Sequence, residues 1–220
     1  MKKVGLLLSG CGFNDGSEIH ESVISMLALD RAGVETVIMA PNIDQMHVVN
    51  HYTGQEMDEF RNVLVESSRI ARGNIKDMAE VTGNDLDALI IPGGFGVAKN
   101  LSDYAMAGPD CSVNPDVYRL VSEIYLLKKP IGAICIAPVM MAKIFGEQDV
   151  SAEMTIGSDE LTSKDINTMG SKHIKCLVSE MIIDEDKKLV TTPAYMEAQS
   201  IKAAAEGIEK LVKQVLLMIE

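Results

Sequence analysis

Short, wholly apolar runs alternate along this chain with longer segments in which apolar residues recur at helical spacing. KKVGLLLS, residues 2–9, is a continuous run of strand length, as in a parallel strand covered on both faces. DGSEIHESVISMLALDRAG follows, with Ser17 as candidate N-cap, Ile19, Val23, Met26, Leu27 and Ala28 as a helical apolar face, and Gly33 as the stop. VETVIMA predicts a second strand and DLDALIIPGGFG a third, ending in a glycine-rich turn. NPDVYRLVSEIYLLKKP reads as a helix with Pro115 near its start and Pro130 past its end. PIGAIC supplies a fourth strand and IAPVMMAKIF the helix after it. Two short strands flank a turn at 184–188, and a long helix closes the chain.

Strand and helix in this rhythm specify βαβ units and a mostly parallel sheet sandwiched by helices, an α/β fold. The 220 residues suit one domain, 1–220, enlarged by an insertion after the second strand at about 41–83. That insertion carries a predicted helix, DEFRNVLVESSRIARG, whose Arg61, Arg69 and Arg72 read as a solvated face. Sites in open α/β sheets form outside the carboxyl ends of the strands. Three features gather there: the SGCGFNDGSE loop, PGGFG, and Cys135.

Charge narrows the partners. Acidic residues outnumber basic ones 32 to 20, a net charge of −12, with no basic cluster. Nucleic acid and anionic membrane surfaces both require a cationic face, so neither is expected. Cys11, Cys111, Cys135 and Cys176 form no C-x-x-C pair, which suits a reducing compartment and predicts a cytoplasmic location. Leu8-Ser9-Gly10-Cys11 resembles a lipoprotein cleavage box, but the apolar run before it is shorter than the roughly 7–15 residues of a signal h-region. A buried first strand is the expectation. His47 and His51 have the i, i+4 spacing of a metal pair if helical, but no third ligand follows a recognisable pattern, so no metal is expected.

Cys135 draws the chemistry. A nucleophile elbow turns sharply from strand to helix and needs small residues two positions away on each side, here Ala133 and Ala137. At a helix N-terminus the dipole and free N–H groups stabilise a thiolate, predicting a lowered pKa. The N–H of Ile136, with a second donor from PGGFG, can hold an oxyanion. A buried cysteine at an apolar strand end explains the same residues, and the local sequence does not separate the two readings.

GAICIAP, IIPGGFGVAKNLS, SGCGFNDGSEIHE and VVNHYTGQ together resemble the PfpI-type branch of the class I glutamine amidotransferase-like superfamily, and within it the ElbB group. The likeness spans almost the whole chain. It implies a flavodoxin-like three-layer sandwich, a homodimer, and an elbow cysteine paired with a protonated glutamate from the first helix. Glu18 and Glu21 lie three apart on one helical face, and the resemblance assigns the role to Glu21. It assigns the oxyanion donors to the backbones of Gly94 and Ile136. His20, Cys11, Glu18 and His51 are further candidates for the pocket. The chain departs from the branch in two ways: Ile136 follows the cysteine where proteases of this type carry histidine, and SAEMTIGSD lacks the downstream histidine of deglycase relatives. A protease is therefore not expected, and the missing histidine weakens a third reading, a glutaminase-like partner in biosynthesis. What the resemblance implies instead is a weak, cofactor-independent glyoxalase acting on small aldehydes or dicarbonyls. A redox-sensing or ligand-binding protein that uses the thiol without turnover is the alternative.

Overall fold

The computed structural model of this chain describes residues 1–219. In chain order, β1 (Lys3–Leu7), α1 (Ile19–Arg31) and β2 (Glu35–Ala40) lead to a two-strand ribbon, β3 (Val49–Asn50) and β4 (Gln55–Glu56). Next come α2 (Val63–Ile70), β5 (Lys76–Asp77), β6 (Ala88–Ile91), α3 (Tyr104–Ala107) and α4 (Pro115–Leu126). The chain continues through β7 (Ile131–Ile134), α5 (Ala137–Gly146), β8 (Glu153–Met154), α6 (Glu160–Thr168) and β9 (Lys172–His173). It ends with β10 (Ile182–Asp184), β11 (Leu189–Thr192) and α7 (Ile201–Met218).

Seven strands form the main sheet in the order β10-β11-β7-β6-β1-β2-β5, parallel throughout except for β10. Successive strand residues point to opposite faces, and both faces are covered. Leu6, Leu8 and Ile90 pack with Leu211 and Val215 of α7, whereas Leu7, Leu89 and Ile91 pack with Leu120 of α4 and Phe145 of α5. This two-sided burial is why the strands read as unbroken apolar runs, and it makes the molecule a flavodoxin-like three-layer sandwich.

Several expectations change. Ser17 is not the cap of α1; Glu18 is, its carboxylate accepting from the Glu21 N–H at 2.7 Å. Ile19, Val23 and Leu27 face outward, and the buried face of α1 is made by Glu21, Ser22, Ile24, Ser25 and Leu29. The helix therefore presents its carboxylate, not its apolar stripe, to the sheet. Within 41–83, α2 and β5 complete an ordinary crossover that adds an edge strand beside β2, so only the ribbon segment is extra. Arg61 and Arg69 of this region are not simply solvated: both pair with the buried Glu66, at 3.6 and 3.0 Å. The small sheet β8–β9 and helix α6 carried no sequence expectation.

Candidate active site

Four loops meet at the carboxyl edge of the sheet, after β1, β6, β7 and β11. The first two are zipped together by backbone hydrogen bonds: Glu18 N–H donates to Gly93 O at 2.9 Å, Phe95 N–H to Phe13 O at 2.7 Å, and Gly96 N–H to Gly16 O at 2.9 Å. Buried Ser17 anchors its loop to the end of β1 by accepting from Ser9 N–H at 2.8 Å. Gly94 sits at φ 96°, and a Cβ there would meet the Gly16 carbonyl and the Glu18 amide, so this crossing requires glycine.

Cys135 stands between β7 and α5 with φ at 62°, the left-handed region that side-chain-bearing residues avoid. Such strain persists only where surrounding structure enforces it, and it aims a side chain out of the turn. The enforcement is visible: Cys135 N–H donates to Thr192 O at 3.0 Å, and Pro138 lies in the first turn of α5. The residue is 7% exposed. Its sulfur is met by the N–H groups of Gly94 and Ile136 and by the Glu21 carboxyl.

Glu21 is fully buried in the first turn of α1. Its Oε2 accepts from Gly93 N–H at 2.8 Å and its Oε1 from Tyr195 N–H at 3.2 Å, while the carboxyl also bonds the Cys135 thiol. Gly93 is what allows the approach, since a Cβ there would lie 2.5 Å from Cys135 Cβ and 2.9 Å from Glu21 Oε2. Burial, then the charge of Glu18, pushes the Glu21 pKa up to about 8, so at neutral pH it is mainly a carboxylic acid. The expectation of a lowered thiol pKa is corrected. Burial and the neighbouring Glu21 raise the Cys135 thiol well above its ordinary value, and the two N–H groups only partly oppose them. Desolvation outweighs the helix terminus because Cys135, although it lines the cavity, is buried against Glu21 and shows little of itself to solvent.

Above the pair opens a cavity of about 690 Å³. Of the sequence candidates, Cys135, Gly94, Ile136, Glu18 and His20 line it. Glu21 is fully buried behind this lining, and Cys11 and His51 do not line it. Cys11 turns toward α2, where Glu66 and Arg69 act on it, and burial raises its thiol pKa. His51 braces the glycine loop from behind: Nε2 accepts from Asn14 N–H at 3.2 Å, Nδ1 lies 3.0 Å from Val49 O, and its ring meets Phe13 edge-on. His47 and His51 share no helix, so the metal spacing does not arise; among the described residues no group of three His, Cys, Asp or Glu could hold a metal ion.

Sequence reasoning missed the loop after β11. Ala194, at φ 43°, turns the chain so that Tyr195 presents its N–H to Glu21 and its hydroxyl to His20 Nδ1, 2.7 Å away. A non-glycine residue with positive φ beside a buried carboxyl is invisible in one sequence. Tyr104, Asp159 and Thr162 were missed too, because they reach the cavity from α3 and α6.

A family model described as the DJ-1/PfpI family matches residues 11–199. The chain is 43% identical over 224 residues to a rat protein named ES1 protein homolog, mitochondrial, covering 97% of this chain and 83% of that one. It is 44% identical over 224 residues to the human glutamine amidotransferase-like class 1 domain-containing protein 3, mitochondrial, with coverage of 97% and 82%. A crystal structure of an isoprenoid biosynthesis protein with amidotransferase-like domain from Ehrlichia chaffeensis superposes with a TM-score of 0.93 at 35% identity, covering 100% of both chains. The mitochondrial names of the two relatives overturn the cytoplasmic expectation. Unpaired cysteines report a reducing compartment and do not tell a cytosol from a mitochondrial interior.

Proposed function

The chain belongs to the DJ-1/PfpI family, and from that premise we propose that it is a slow, cysteine-dependent glyoxalase that needs no cofactor and converts glyoxal-type dicarbonyls into hydroxy acids. One observation carries the reading: a strained elbow cysteine hydrogen-bonded to a buried, mainly protonated glutamic acid, with two backbone N–H groups facing the sulfur.

The steps follow from the parts. Sulfur bonds to the aldehyde carbon as the thiol proton leaves to solvent, and Glu21 delivers its proton to the carbonyl oxygen, giving a hemithioacetal. The N–H groups of Gly94 and Ile136 hold that oxygen while it carries charge. Glu21, now a carboxylate, takes the hydrogen from the former aldehyde carbon as a proton and returns it to the adjacent carbon, while the hydroxyl proton passes from the first oxygen to its neighbour, leaving a hydroxy thioester; Glu21 then regains its own proton from solvent. Water then cleaves the thioester to hydroxy acid and free thiol. His20, held by Tyr195 at the cavity wall, is the base available to that water. A pKa of about 8 suits Glu21 for giving and taking a proton near neutrality. A thiol held above its ordinary pKa is seldom ionised, which makes turnover slow.

The raised pKa slows oxidation of the thiol to sulfenic acid just as it slows its addition to an aldehyde. In this reading the molecule works as a homodimer, a view supported by the outward apolar stripe of Ile19, Val23 and Leu27. The test is glyoxal consumption by wild type against Cys135→Ala, with glycolate, the hydroxy acid formed from glyoxal and water, quantified as product. Loss of product in the variant is expected; equal rates would sink the proposal.

A further inference from the structure

The chemistry above needs only an aldehyde and its neighbouring carbonyl, yet the cavity over Cys135 measures about 690 Å³, within the roughly 300–1,000 Å³ of pockets that hold drug-sized ligands. Glyoxal would leave most of it to water. The walls are apolar and aromatic, with Phe13, Phe95, Tyr104, Ile136 and Met196 among them. Phe13 and Phe95 are 49% and 50% exposed, on two loops joined by a 2.7 Å backbone hydrogen bond. Two half-bare rings on a fixed support gain by covering a flat apolar group, and do so at low entropic cost.

Charge points the same way. Carboxylates of Glu18 and Asp159 line the cavity, and among the described residues no lysine or arginine does. Hydrogen bonds from Thr162 hold Asp159 below the usual carboxylate range, so it stays ionised. Lys99 approaches Phe95, 5.4 Å from the ring centroid, but its ammonium donates to the Asn14 carbonyl at 2.9 Å. A substrate carboxylate or phosphate would be desolvated here with no cation to meet it.

We infer that this site takes uncharged α-oxoaldehydes bearing an aromatic or similarly bulky apolar group, in preference to glyoxal itself and to anionic oxo-acids; the inference rests on the thiol–aldehyde reading above. Acidic walls also suit the product, since a hydroxy-acid anion is repelled where its neutral precursor was not.

Two measurements separate this inference from the reading it rests on. The first is labelling of Cys135 by phenacyl bromide, iodoacetamide and bromoacetate, followed by peptide mass spectrometry. In each case sulfur forms the new bond to carbon as halide leaves and the thiol proton passes to buffer. Rates are divided by those of a free thiol, which removes intrinsic reactivity. Phenacyl bromide should exceed iodoacetamide by about tenfold or more, the scale of discrimination an apolar pocket gives, and bromoacetate should fall below both. The second is turnover of glyoxal, phenylglyoxal and 4-carboxyphenylglyoxal, normalised in the same way, with phenylglyoxal about tenfold ahead in kcat/KM. Phenacyl preference without turnover of any aldehyde upholds the ligand class and rejects the enzyme. Glyoxal turnover with no aryl preference in either measurement overturns the inference. Asp159→Asn keeps a helix-capping side chain and should raise turnover of the carboxylated substrate severalfold; unchanged discrimination refutes the charge argument.

Discussion

Glutamine in place of Glu21 probes the electrostatics of the site through stability alone, whatever the substrate. The carboxyl is fully buried, and its pKa rises from an ordinary 4.5 to about 8, through burial first and Glu18 second. A group whose folded pKa is raised holds its proton more tightly in the folded chain. Its stabilising contribution is complete below the unfolded value and is lost as pH rises toward the folded one. From about pH 5.5 to about pH 8.0, the logarithm of the ratio of unfolded to folded ionisation gives a loss of roughly 3 kcal/mol from this one side chain. Glu21→Gln cannot ionise, so it lacks that slope. It also replaces one of two acceptor oxygens with an amide that faces the Gly93 or Tyr195 N–H, costing about 1–3 kcal/mol at every pH. The variant should therefore lie close to or below wild type near pH 5.5 and above it near pH 8. Urea unfolding of both proteins across this range measures the difference, and other titrating groups cancel. A difference that changes by less than about 1 kcal/mol would refute a strongly raised Glu21.

Gly93→Ala should cost about 1–3 kcal/mol by overpacking, since its methyl lands on Cys135 and Glu21 together. Turnover should fall about a hundredfold as the pair is pushed apart; a variant that keeps wild-type activity would contradict the packing described. The rate of Cys135 alkylation by iodoacetamide should still be climbing above pH 9, because the thiol is raised and not lowered. A plateau reached below pH 8 would show that the helix terminus outweighs burial after all.

Much of the site was legible because its parts carry distinct local signals. Unbroken apolar runs marked the strands, and the small residues around Cys135 marked the elbow. The resemblance picked Glu21 over Glu18, and the structure places Glu21 on the thiol while Glu18 caps the helix. What failed did so for nonlocal reasons. Helical spacing alone put Ile19, Val23 and Leu27 inside, whereas α1 turns Glu21 toward the sheet and leaves that stripe exposed. Dipole reasoning lowered the thiol pKa, but the depth of burial reverses it. Cys11 lies in the right loop and points the wrong way.

By itself, then, the amino-acid sequence determined the alternation of strands and helices, the glycine-permitted turns and the strand-to-helix elbow at Cys135, because each depends on neighbours within a few positions. Only the tertiary structure decided that Tyr195 joins Glu21 across 174 residues, that His20 lines the cavity while His51 braces a loop, and that both acids of the Cys135–Glu21 pair hold their protons. Those outcomes depend on burial and on distances between elements far apart in the chain, and the balance between desolvation and hydrogen bonding is set by where the folded layers close.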